Sequence, residues 1–110
     1  MDVPFKDSLR VDQSKITGYL LSEITGRGKA VFFLRLGFRP ENWEALAEAL
    51  RAQARENAVT AVVDSAYGKR NSVEGTIETP DNRGPRPRVR TVWILEIGTE
   101  APRLITAHPA

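Results

Sequence analysis

His108 is the one histidine in the 110 residues, and an imidazole is the side chain best suited to give and take protons near neutrality. Strand alternation supplies it with company. In the segment 88–97, Arg88, Arg90, Val92, Ile94 and Glu96 point one way and Val89, Thr91, Trp93, Leu95 and Ile97 the other. Ser72, Glu74 and Thr76 share one side of the preceding strand, and Leu104, Thr106 and His108 share one side of the last. If helices cover the Val89 side, the two arginines, Glu74 and His108 face an open surface. Such a set suffices for RNA cleavage without a metal. A base takes the 2′-hydroxyl proton, cations stabilise the charged phosphorane, and an acid protonates the departing oxygen. Lys29 follows the turn Gly26-Arg27-Gly28, whose backbone amides suit a phosphate, although the spacing matches no phosphate-loop pattern.

Each of these groups also has a plainer reading. Glu74 with Arg88 or Arg90 is a cross-strand ion pair, and His108 a solvated residue near the end of the chain. Arg83, Arg86, Arg88 and Arg90, with Lys69 and Arg70 upstream, neutralise phosphates if the fold gathers them, and otherwise keep a hairpin loop soluble. Lys69, Arg70, Arg86 and Arg88 are the residues expected to bind RNA. Trp43 and Trp93 are read as core.

Composition narrows the chemistry. There is no cysteine, so disulfides, thiolate catalysis and Cys-ligated zinc are excluded, and one histidine is too few for a conventional transition-metal site. The expectation is a function with no metal and no cofactor. A formal charge of +2, with 27% charged and 41% hydrophobic residues, is ordinary for a folded domain and too mild for a nucleic-acid signature by itself. The longest apolar runs, 30–34 and 92–95, fall far short of a membrane helix. The N-terminus has no apolar core of a secretory signal, so the expected location is the cytoplasm. The length suits one domain, residues 1–110.

The elements that must position these residues follow from periodicity. A first helix is expected after Asp12 or Ser14, through Ile16, Tyr19 and Leu20, ending at Thr25-Gly26-Arg27-Gly28. The segment 29–38 fits a helical face through Ala30, Phe33, Leu34 and Gly37 or a buried strand; a short helix is the reading adopted. Pro40 at a first turn, then Trp43, Leu46, Ala47 and Leu50, predicts an amphipathic helix to about Glu56. Beyond Ala58, β-branched runs between Gly, Pro, Asn and Asp predict strands at 59–64, 72–78, 88–97 and 103–108, with turns at 67–70, 80–85 and 98–102. Connections this short make antiparallel neighbours. The fold class is α+β, N-terminal helices packed on one face of a four-stranded antiparallel β-meander.

The stretches Lys15-Ile16-Thr17-Gly18-Tyr19-Leu20-Leu21, Gly28-Lys29-Ala30-Val31-Phe32-Phe33, Gly37-Phe38 with Trp43, Val73-Glu74-Gly75, Arg90-Thr91-Val92-Trp93 and Pro102-Arg103-Leu104-Ile105-Thr106-Ala107-His108-Pro109 together resemble an uncharacterised bacterial family of small domains. Relatives of that family occur at the C-termini of polymorphic toxins. The resemblance spans nearly the whole chain and implies the ribonuclease-toxin fold of barnase, EndoU, colicin and RelE-type proteins. It points to Lys29, Arg90, Thr91, Thr106 and His108 as site residues, and Glu74 joins them from the strand pattern. Two departures stand out: Glu23-Ile24-Thr25 replaces a His-Pro found in many relatives, and His108 stands where many have Tyr.

The leading expectation is a toxin-like, metal-independent endoribonuclease, one half of a toxin–antitoxin pair with a small protein partner. The alternatives are a non-catalytic protein-interaction module, or a domain that binds RNA without cleaving it.

Overall fold

The computed structural model describes residues 1–24, 27–82 and 84–110. The expected turn at 25–28 and Arg83 of the arginine run therefore fall partly or wholly outside the described residues.

The three-and-four spacing after Pro40 forms helix α3, Trp43–Glu56, entered through a 3₁₀ turn, Pro40–Asn42. Its inner stripe, Leu46, Ala47, Leu50, Gln53 and Ala54, is buried. Outside, Glu48 receives both Arg51 and Arg55. The ambiguous segment is helical: α2 runs Arg27–Arg35 and ends before Gly37, whose φ of 99° suits glycine. The first helix is shorter than expected. α1 is Gln13–Lys15, followed by one π-helical turn, Ile16–Leu20. Asp12 occupies the cap position without capping, because its carboxylate is held by Arg10 Nε at 3.1 Å, and Ser14 lies inside the helix. Among the described residues no helix is long and apolar enough to cross a membrane.

The four strands are β1, Val59–Ser65, β2, Gly68–Thr76, β3, Arg88–Glu96, and β4, Arg103–Pro109, antiparallel in the order β1-β2-β3-β4. The expected meander is therefore the observed sheet, but β2 starts earlier than its polar Lys69-Arg70-Asn71 suggests. Those residues pair with Leu95, Ile94 and Trp93, and the chain reverses between Ser65 and Gly68 instead. Only glycine fits at 68, where a Cβ would stand 2.2 Å from the Leu95 carbonyl oxygen.

Val73, Val89, Trp93, Leu104 and Ala107 from the sheet meet Ile16, Leu20, Phe33, Phe38, Leu46 and Leu50 in one core. Helices thus cover the Val89, Thr91, Trp93 side of β3, leaving Arg88 and Arg90 on the other. The last strand departs from simple alternation. Val92 pairs with Thr106 but Trp93 with Leu104, leaving Ile105 as an extra residue. A bulge of this kind resets the faces, so Leu104 and Ala107 are both buried in the core and Leu104 does not share a side with Thr106 and His108.

A polar thread crosses this core. Gln53 Nε2 donates to the Val73 and Val89 carbonyls, each at 3.1 Å. Thr91 Oγ1 donates to Gln53 Oε1 at 2.8 Å and accepts from Trp93 Nε1 at 2.8 Å. All three side chains are buried. Replacing Gln53 with Leu strands two carbonyls and a hydroxyl, and leaving buried partners unpaired costs about 1–3 kcal/mol each before relaxation. We expect Gln53→Leu to lower unfolding stability by about 2–4 kcal/mol in urea titration. The exposed Tyr67→Ser should change it by less than about 0.5 kcal/mol. Equal midpoints for Gln53→Leu and the parent protein would refute the role assigned to the thread.

Candidate active site

The β2–β3–β4 register lines up three side chains of different chemistry. Glu74 lies opposite Arg90, and Arg90 opposite His108. Glu74 Oε1 and Arg90 Nη2 are 3.8 Å apart and both partly exposed, a contact worth tenths of a kcal/mol that solvent or a ligand can replace. His108 Nδ1 lies 3.0 Å from the Pro109 carbonyl oxygen. A carbonyl only accepts, so Nδ1 carries the proton and Nε2 is left for chemistry. Neighbouring strands are about 4.8 Å apart, so the carboxylate and the imidazole flank the guanidinium from opposite sides.

One step along β4, Thr106 lies opposite Val92. Its Oγ1 is buried and has no hydrogen-bond partner. Beside it is Tyr19, from the turn after α1. Lys15 Nζ stands 5.1 Å and Lys29 Nζ 5.3 Å from the Tyr19 ring centroid, in the range of cation–π attraction. Thr106 first, then Lys29, hold the phenol below the ordinary value of 10.0, with Lys15 adding to the effect and burial opposing it. Thr106 Oγ1 approaches the phenol outside hydrogen-bond geometry and is left without a hydrogen-bond partner. Lys29 and Thr106, expected in the site, are thus neighbours across Tyr19, and Thr106 is two residues from His108. Lys15 and Tyr19 were not singled out by sequence. Their signal was the i,i+4 spacing, which puts an ammonium on a ring, hidden because Tyr19 also completes an apolar stripe.

Thr91 is not part of this surface. It is fully buried on the helix side, with its hydroxyl committed to Gln53 and Trp93, so it does not reach the open face as expected of a site residue. The four residues expected to bind RNA do not form one patch. Lys69 is paired with Asp64 at 2.8 Å and Arg86 with Glu78 at 3.1 Å. Arg70 and Arg88 lie opposite Ile94 and Thr76, on the Arg90 side but separated by about 20 Å along the strands. Among the described residues no cluster of three or more His, Asp or Glu side chains could hold a metal ion. A cavity of about 440 Å³ opens elsewhere, between α3 and the segment after β2, lined by Phe38, Ala49, Glu56, Ile77, Glu78 and Arg86 among others.

With this geometry in view, the chain can be set beside known proteins. No curated protein sequence matches it significantly. In solved structures it is similar to a chain of a contact-dependent growth inhibition toxin–immunity protein complex from Klebsiella pneumoniae 342. The TM-score is 0.74 at 19% identity, over 96% of this chain and 96% of that one, which is a likeness of fold. The family described as a domain of unknown function, DUF6883, matches residues 3–110, and the chain belongs to that family.

Proposed function

We propose that this domain is a toxin-like, metal-independent endoribonuclease acting on RNA in the cytoplasm, and that a small cognate protein binds it. The observation that carries the reading is the in-register row Glu74, Arg90, His108 on the face that the helices leave open. In-line displacement at phosphorus needs a base on the nucleophile side, an acid on the leaving-group side and positive charge between them. The row has that order. Glu74 takes the 2′-hydroxyl proton, and the 2′ oxygen attacks phosphorus while Arg90 stabilises the equatorial oxygens. The P–O5′ bond then breaks as a protonated His108 Nε2 supplies its proton to the 5′ oxygen. The products are a 2′,3′-cyclic phosphate and a 5′-hydroxyl. Lys29 adds positive charge beside the row, and Thr106 a hydroxyl.

The likeness in fold to a toxin–immunity complex supports a protein partner. So do the exposed apolar residues Val62, Val63, Tyr67 and Ile97, at the end of the sheet away from Glu74, with Val62 and Val63 on opposite faces of β1. These exposed residues favour a second reading, a non-catalytic interaction module.

Purified protein should cleave RNA in the presence of EDTA, leaving 2′,3′-cyclic phosphate ends. Arg90→Ala, His108→Ala and Glu74→Gln should each slow cleavage by about 10²–10⁴-fold while keeping the parent's circular dichroism. RNA left intact by micromolar protein would favour the module, and variants that cleave at the parent's rate would remove the row from the mechanism. In cells, the chain expressed without its partner should slow growth, and Arg90→Ala should relieve the effect; equal growth with chain and empty vector would contradict toxicity.

A further inference from the structure

The chain has four lysines. Lys6 and Lys69 each pair with an aspartate, while Lys15 and Lys29 meet no carboxylate among the described residues. Both are half-buried against the same ring of Tyr19, so their charges lie within about 10 Å, roughly one Debye length at about 0.1 M salt. Beside them is the buried, unsatisfied Thr106 Oγ1. Two ammonium groups that meet no carboxylate converge here with two hydroxyls, from α1, its π-turn, α2 and β4, so that positive charge and donors outnumber acceptors.

We propose that Lys15, Tyr19, Lys29 and Thr106 form a seat for a phosphate group, the backbone phosphate next to the one being cleaved. The inference deepens the ribonuclease reading and rests on it for the source of the phosphate. The seat lies one pair of residues along the sheet from Arg90 and His108, so an RNA strand running along β4 passes from one to the other. Lysines supply point charges to phosphate oxygens, the phenol and the Thr106 hydroxyl supply directed donors, and a bound anion gives Thr106 its missing partner. The pKa of the phenol is lowered by its contact with Thr106 first and by Lys29 second, and the positive field of Lys29 and Lys15 adds to the effect. A bound phosphate cancels that field and moves the phenol back toward 10.0.

The test uses the full chain with two probes, a 2′-O-methyl oligoribonucleotide that cannot be cleaved and inorganic phosphate. Affinity is followed by fluorescence anisotropy and Tyr19 by NMR, the resonance assigned with Tyr19→Phe. The oligonucleotide should raise the Tyr19 pKa, and Lys15→Gln and Lys29→Gln should each weaken binding about 5–10-fold and reduce the salt slope by about 0.7. Unchanged affinity and salt slope in the Lys15→Gln/Lys29→Gln double variant, with its fold intact, would overturn the seat even if RNA cleavage persists. Inorganic phosphate shifting Tyr19 while the oligonucleotide does not would overturn its assignment to RNA. Oligonucleotide binding at Tyr19 without cleavage of ordinary RNA would uphold the seat and reject the nuclease.

Discussion

The hydrogen bonds that Gln53 makes to the Val73 and Val89 carbonyls, and accepts from Thr91, are the constraint from which the rest of this structure follows. They join α3 to both central strands at buried atoms, where an unmade bond is expensive. Sliding β3 by one residue against β2 would break them and would turn Arg90 to the core side and Thr91 outward. Gly75 allows this tight seating. A Cβ there would lie 2.5 Å from Asn57 Nδ2, and Asn57 itself donates to the Gln53 carbonyl at 2.8 Å. The register of Glu74, Arg90 and His108 is thus set by what happens on the opposite side of the sheet.

Charge on the molecule is divided into committed and uncommitted groups. Arg86, Lys69 and Arg103 each have a carboxylate within 3.3 Å, and surface pairs of this kind contribute little beyond solubility. Arg90 has a longer contact, 3.8 Å, and Lys15 and Lys29 rest on an aromatic ring. Arg90, Lys15 and Lys29 thus lie along the β4 side of the open face and at its edge. A modest net charge of +2 conceals this, because steering and phosphate binding depend on local fields.

Local patterns made much of the fold legible. The stripe Leu46, Ala47, Leu50 announced α3, and the turn residues after Ala58 announced an antiparallel meander. Alternation in 88–97 assigned both faces of β3, and with them the positions of Arg90 and Glu74. What was not legible arose from distant partners. Thr91 reads as a small polar residue beside an arginine, and only Gln53, 38 residues away, makes it a core group. The bulge at Ile105 leaves no mark in a run of mixed residues, so the faces of β4 were misassigned at Leu104. The start of β2 was hidden because Lys69-Arg70-Asn71 is uniformly polar, although Asn71 is buried opposite Trp93. Tyr19 was read as packing because its lysine partners come from two separate segments.

The most direct measurement of the central claim, that the open face beside β4 receives an RNA strand, is a map of amide shift changes on adding a non-cleavable RNA. The account predicts changes at Arg90, Thr106, His108 and Lys29, with the hairpin end around Val63 and Tyr67 unmoved. Changes confined to that hairpin end, or none at saturating RNA, would contradict it.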